Sequence, residues 1–163
     1  MTDFEALLTA LDHNSVEYII VGGAAAIAHG SARLTQDLDV VYRRSPENLD
    51  RLIAALRTYQ PYLRGVPGGL PFIWDRETLQ RGLNFTLTTE LGAIDLFGEI
   101  PGGGTYDDMI SGAISLPIFS GTSKCLSLSQ LIRAKRAAGR PKDLEALAEL
   151  EAIAEETDSA TEL

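Results

Sequence analysis

The sequence predicts an α+β fold: a small mixed β-sheet flanked by helices, with a helical pair at its C-terminal end. Three observations carry that prediction. Short runs rich in β-branched and aromatic residues, such as Glu17–Val21 and Leu38–Tyr42, are bounded by Gly, Asn, Ser and Pro. Stretches with apolar residues at three- and four-residue spacing stand before, between and after them. The chain has 163 residues, 45% of them hydrophobic, which suits one domain able to bury a core without staples. Residues 1–156 are therefore read as one domain and 157–163 as an acidic, frayed tail.

Taken in order, the first element is a helix in which Thr2 and Glu5 form a capping box and Phe4, Leu7, Leu8 and Leu11 share a face. Asn14 and Ser15 end it. A buried strand follows at 17–21, stopped by Gly22-Gly23, and the small residues Ala24 to His29 form a short helix closed by Gly30. Residues 38–42 are the second strand. Ser45 and Pro46 supply an N-cap and an N1 proline for a helix with Leu49, Leu52, Ile53 and Leu56 inward. Residues 60–82 are rich in proline and glycine and carry no clear period; Trp74 there either anchors the loop or lies over a ligand. Asn84–Thr89 and Ala93–Glu99 pair as a hairpin across Glu90-Leu91-Gly92. A short helix at 106–110 and two short strands at 114–119 and 124–126 come next. Ser127 and Gln130 box the start of a helix that Gly139 ends, and Pro141 opens the last helix, which runs to about Glu156.

Composition excludes disorder, collagen and a disulfide scaffold. No apolar run reaches the roughly 18 residues of a membrane span, and the N-terminal residues do not have the pattern of a secretory leader. With Cys125 as the single cysteine, a reducing, cytoplasmic setting is expected. Net charge is −9, but seven of the 23 acids and none of the bases fall in residues 145–163. Six of the 14 bases fall between Lys124 and Lys142. Such a patch suits a few phosphates better than a long duplex, whose tight binding needs many paired phosphates; a solvated helix face is the plainer alternative.

The sharpest feature is Gly22-Gly23, thirteen residues, then Asp37-Leu38-Asp39-Val40. Residues i and i+2 of a strand face one side, so Asp37 and Asp39 project together while Leu38 and Val40 enter the core. Two neighbouring carboxylates repel unless a cation lies between them. Asp95, in Ile94-Asp95-Leu96, is a lone acid in an apolar strand and needs a cation or a hydrogen-bond network. If the two strands are neighbours, three carboxylates converge, the layout for two metal ions in phosphoryl transfer. Mg²⁺ suits such oxygen ligands. A Gly-Gly pair running from strand to helix lets backbone N–H groups approach a phosphate. Each feature alone is weak; their conjunction is specific.

These motifs, Val21-Gly22-Gly23, Asp37-Leu38-Asp39-Val40 and Ile94-Asp95-Leu96, resemble the nucleotidyltransferase superfamily with a DNA-polymerase-β-like palm. The run from Gly22 to Gly30, the segment Arg33–Asp39, and the Leu131–Lys135 and Arg140–Leu144 segments resemble AbiEii-type and related bacterial nucleotidyltransferases. The resemblance spans about residues 16–150. It implies a bound nucleoside triphosphate and two Mg²⁺ ions, both held by Asp37 and Asp39, with Asp95 on the catalytic ion and helping to activate the nucleophile. It further implies that Gly22 and Gly23 cradle the triphosphate and that Lys135 meets phosphate. Arg33 either reaches phosphate or pairs with Asp37; Thr35 joins the nucleotide site or shapes the turn before the strand. Asp143 either caps and orients a neighbouring base or takes part in catalysis. His29 is read as a helix-end residue and Cys125 as a buried structural thiol.

The leading expectation is transfer of a nucleoside monophosphate to a hydroxyl on an RNA end, a protein or a small molecule. The resemblance leaves open a toxin–antitoxin pair with an antitoxin-like partner, or a homo-oligomer, and no membrane is expected. The alternatives are an inactive palm that binds nucleotide or a partner, and an unrelated α/β protein with Asp37 and Asp39 on a surface loop.

Overall fold

Local chemistry starts the first helix one residue later than the capping-box pattern predicts. In the computed structural model, which describes residues 1–161, α1 spans Phe4–His13 and buries Leu7, Leu8, Ala10 and Leu11. Its N-cap is Asp3, whose carboxylate accepts the Ala6 N–H at 2.9 Å. Asp caps at least as well as Thr, which releases Thr2 for another use. Thr2 Oγ1 donates to the Gln36 carbonyl at 2.5 Å and accepts the Ala93 N–H at 3.1 Å. The start of the chain thereby ties down the leading ends of the two strands that carry the acids.

The strands are β1 (Tyr18–Val21), β2 (Asp37–Tyr42), β3 (Tyr62–Leu63), β4 (Phe85–Thr89), β5 (Gly92–Phe97), β6 (Glu99–Ile100), β7 (Gly104–Thr105), β8 (Ile114–Ile118) and β9 (Gly121–Cys125). Seven of them form one mixed sheet in the order β3-β4-β5-β2-β1-β9-β8, and β6 and β7 form a separate ribbon. β2 lies parallel to β5 and β1 parallel to β9; the remaining pairs in the large sheet are antiparallel. The predicted mixed sheet is thus present, built from the β4–β5 and β8–β9 hairpins around a central β1–β2 pair.

The helices after α1 are α2 (Gly22–Ala28), α3 (Pro46–Leu56), α4 (Arg76–Arg81), α5 (Tyr106–Met109), α6 (Leu128–Ala138) and α7 (Pro141–Thr161). Ser45 caps α3 by accepting the Asn48 N–H. Asn48 is fully buried and satisfied: its amide donates to the Glu17 and Arg43 carbonyls and accepts the Glu17 N–H, fixing α3 against β1 and β2. Residues 60–82 contribute the edge strand β3 and helix α4. Trp74 is buried there, with its indole N–H on the Ile53 carbonyl at 3.0 Å, so it serves packing.

The capping box at Ser127 and Gln130 is present, and Gly139, at φ +65°, turns the chain from α6 into α7. No Gly or Pro interrupts residues 157–161, and α7 continues through Thr161, past the predicted end near Glu156. Residues 162–163 of the expected tail lie outside the described residues. Among the described residues, no helix is long and apolar enough to cross a membrane.

Candidate active site

Alternation in β2 sends Leu38 and Val40 into the core with no exposure and leaves Asp37 and Asp39 half-buried on the other face. The parallel register of β2 with β5 sets Asp39 opposite Asp95. One ligand oxygen from each of Asp37, Asp39 and Asp95 lies within 4.8 Å of the others. The convergence predicted from the two motifs is therefore present, and it depends on β2 and β5 being neighbours.

On the other side of β2, antiparallel pairing places Val21 opposite Asp39, so β1 delivers Gly22 beside that carboxylate. Gly22 has φ +61°, and a Cβ there would stand 2.2 Å from Asp39 Oδ2. Only glycine fits both the backbone and the contact. A Cβ on Gly23 would stand 2.7 Å from Thr35 Oγ1, and that hydroxyl donates to the Asp37 carbonyl at 3.2 Å. Gly23 and Thr35 thus pack on each other at the entry to β2.

Asp39 Oδ1 is buried and has no hydrogen-bond partner. Burial, then the nearby Asp95 and Asp37 charges, push the Asp39 carboxyl up to about 7 against the pull of Lys135. Three crowded carboxylates, one with an orphaned buried oxygen, form a hard-oxygen donor set that fits a divalent cation such as Mg²⁺.

Arg64, just beyond β3, is a residue that the sequence reading missed. Its guanidinium pairs with Asp95 and lies 3.7 Å from Asp37 Oδ2. The Arg33–Asp37 pair, one of the two readings open for Arg33, is not formed. Arg33 instead turns toward α7, 3.8 Å from Glu145 and 3.9 Å from Glu149. The reason is local: Glu149 also accepts from the Ser31 hydroxyl and the Ala32 N–H, drawing this loop onto α7.

Beside the triad opens a cavity of about 410 Å³ with Gly22 and Asp39 on one side and Lys135 and Arg140 on another. Phe97 and Leu131 are part of its apolar wall. Asp143, 1% exposed, organises the cationic side. It accepts from Lys135 Nζ at 3.2 Å, from Arg140 Nε at 2.6 Å and from the Arg140 backbone N–H at 3.3 Å. The Arg140 guanidinium first, with Lys135 adding to it, holds the Asp143 carboxyl down to about 2 despite burial. Asp143 therefore caps α7 from its first turn and orients two cations, the first of the two roles open for it. Its spacing of three from Arg140 is the half capping box that signals this in sequence.

His29 is the C-cap of α2, its backbone N–H donating to the Ala25 and Ala26 carbonyls, and its ring Nε2 stands 2.8 Å from the Leu126 carbonyl, which ties this helix end to the segment before α6. Cys125 is buried and burial raises its thiol to about 11, which suits a structural residue.

Neither a protein-family model nor a curated protein matches the sequence significantly. Solved structures match it by fold. The crystal structure of the lincosamide antibiotic adenylyltransferase LnuA, lincomycin-bound, superposes with a TM-score of 0.52 at 16% identity, covering 93% of this chain and 98% of that one. The structure of ANT(2")-Ia in complex with adenylyl-2"-tobramycin gives a TM-score of 0.56 at 15% identity, over 96% of this chain and 95% of that one. At such identities the likeness is one of fold, and over nearly its whole length this chain shares the fold of these two structures.

Proposed function

We propose that this protein is a Mg²⁺-dependent nucleotidyltransferase that moves a nucleoside monophosphate from a nucleoside triphosphate to a hydroxyl of a small molecule. The observation that carries this is the convergence of Asp37, Asp39 and Asp95 beside a cavity with Lys135 and Arg140 at its edge. Asp37, Asp39 and Asp95 would hold the metal, as two ions. When bound, those ions supply charge stabilisation at the attacking and leaving oxygens. Lys135 and Arg140 meet the triphosphate oxygens, preset by Asp143, and Gly22 and Gly23 let the backbone come close to them. The hydroxyl oxygen bonds to the α-phosphorus as the bond to pyrophosphate breaks, and Asp95 is the group assigned to receive the hydroxyl proton.

A small-molecule acceptor is favoured because both similar structures match nearly end to end and carry small molecules, lincomycin and adenylyl-2"-tobramycin. An RNA end, a protein hydroxyl and a toxin–antitoxin setting rest on the AbiEii-type resemblance alone. An inactive palm accords poorly with an orphaned carboxylate oxygen at the centre of the triad.

The test offers each of the four nucleoside triphosphates with Mg²⁺ to hydroxylated small molecules, lincomycin and tobramycin among them, and separately to RNA and polypeptides. Mass spectrometry is expected to show a nucleoside monophosphate added to a small molecule, with pyrophosphate released. Transfer confined to RNA or polypeptide overturns the acceptor class, and a chain that transfers to nothing overturns the enzyme.

A further inference from the structure

Arg64 is held from behind by β4. Its backbone N–H donates to the Thr86 carbonyl at 2.9 Å and its Nη1 to the Leu87 carbonyl at 3.1 Å. From these anchors Nη2 reaches Asp95 and stands 3.7 Å from Asp37. One guanidinium therefore spans two of the three acids, while Asp39 keeps a buried oxygen without a partner. Arginine suits this better than lysine, because its planar fork serves a carbonyl and two carboxylates at once.

The oxygens that Arg64 occupies are among those that a divalent cation needs. A metal ion on Asp95 and Asp37 would stand a few ångströms from the guanidinium in a partly desolvated site, where two cations repel strongly. Resting on the metal-dependent reading above, we propose that Arg64 is an internal counter-ion of the triad. It neutralises Asp37 and Asp95 in the metal-free protein, competes with the divalent cation for them, and leaves when the cation binds. The way out is open. The Arg64 side chain is 30% exposed. In the segment just beyond it, Cβ atoms built on Gly65, Gly68 and Gly69 would meet no atom within 4 Å. Swinging the side chain toward solvent gives up its bond to the Leu87 carbonyl and keeps the backbone bond to the Thr86 carbonyl. The consequence is a triad that stays charge-compensated without metal and binds free cation weakly until a triphosphate adds its own oxygens.

The experiment measures Mn²⁺ binding by calorimetry, without nucleotide, in the parent, Arg64→Leu and Arg64→Gln. Both variants are expected to bind Mn²⁺ at least about tenfold tighter than the parent, since a competing charge is gone. Their metal-free melting temperatures are expected to fall and their Mn²⁺-induced rises to exceed the parent's. Arg64→Gln keeps a donor for Asp95 without the charge, so it reports even where the leucine variant does not fold. Folded variants that bind Mn²⁺ no tighter than the parent overturn the counter-ion role and leave the metal site standing. Failure of parent and Arg64→Gln alike to bind Mn²⁺ overturns the metal site and the role together.

Discussion

Asp39→Asn is expected to melt no lower than the parent when metal is chelated, and to gain nothing from Mg²⁺ and triphosphate. The Asp39 carboxyl sits near 7 in the folded protein because of burial and the flanking Asp95 and Asp37 charges. In the unfolded chain it ionises near 4. Between those values the native state holds a proton that the unfolded state has lost, so this group's contribution to stability falls as pH rises. Above about pH 7 the full cost of a buried, crowded carboxylate is present. Asparagine carries no such cost and keeps the shape that Leu38 and Val40 pack behind. The melting-temperature gap between variant and parent therefore widens in the variant's favour from pH 5 to pH 8. Nucleotidyl transfer by the variant falls by at least about a thousandfold, beyond the ~10–100-fold typical of losing a partner one shell out from a metal. A variant that is strongly destabilised and still shows the full ligand-induced rise makes Asp39 a structural residue.

Gly22→Ala is expected to damage the site as severely by a different route. Alanine at φ +61° costs about 1–2 kcal/mol through its backbone alone. Its Cβ also overlaps Asp39 Oδ2, so the carboxylate must leave its place between Gly22 and Asp95. For a chain of this size each kcal/mol lowers the melting temperature by about 2–4 °C. A fall of several degrees together with loss of Mg²⁺-dependent nucleotide binding is the expected result. Gly30→Ala is the control: Gly30 is at φ +109° with open space around it, so the variant loses stability and keeps binding. Unchanged nucleotide binding in a folded Gly22→Ala contradicts the packed Gly22–Asp39 contact.

What the sequence reveals of this site is set by how local each feature is. Asp37 and Asp39 are legible because strand alternation is a property of three consecutive residues. Asp95 is legible because a lone acid between Ile94 and Leu96 stands out against its own strand. Arg64 is illegible, since its reach to Asp95 crosses β4 and depends on the registers of β3, β4 and β5 together. Residues 60–82 add no period or motif that would mark it. Arg33 misleads for a related reason: its proximity to Asp37 in sequence carries less weight than Glu149, which arrives from the far end of the chain. Thr2 and Asp3 are adjacent residues that can both cap, and Thr2 is instead held by Gln36 and Ala93. Lys135 shares a helix face with Leu128, Leu131 and Ile132, and pattern alone gives it no partner; Asp143 and the cavity do.

The most direct test of the central claim is a calorimetric titration of the parent, Lys135→Ala and Asp39→Asn with an α,β-methylene nucleoside triphosphate, with Mg²⁺ or with chelator. The account predicts binding to the parent that requires Mg²⁺, weaker and differently salt-dependent binding to Lys135→Ala because one phosphate contact is lost, and none to Asp39→Asn. Binding that persists undiminished with chelator, or in Asp39→Asn, would contradict it.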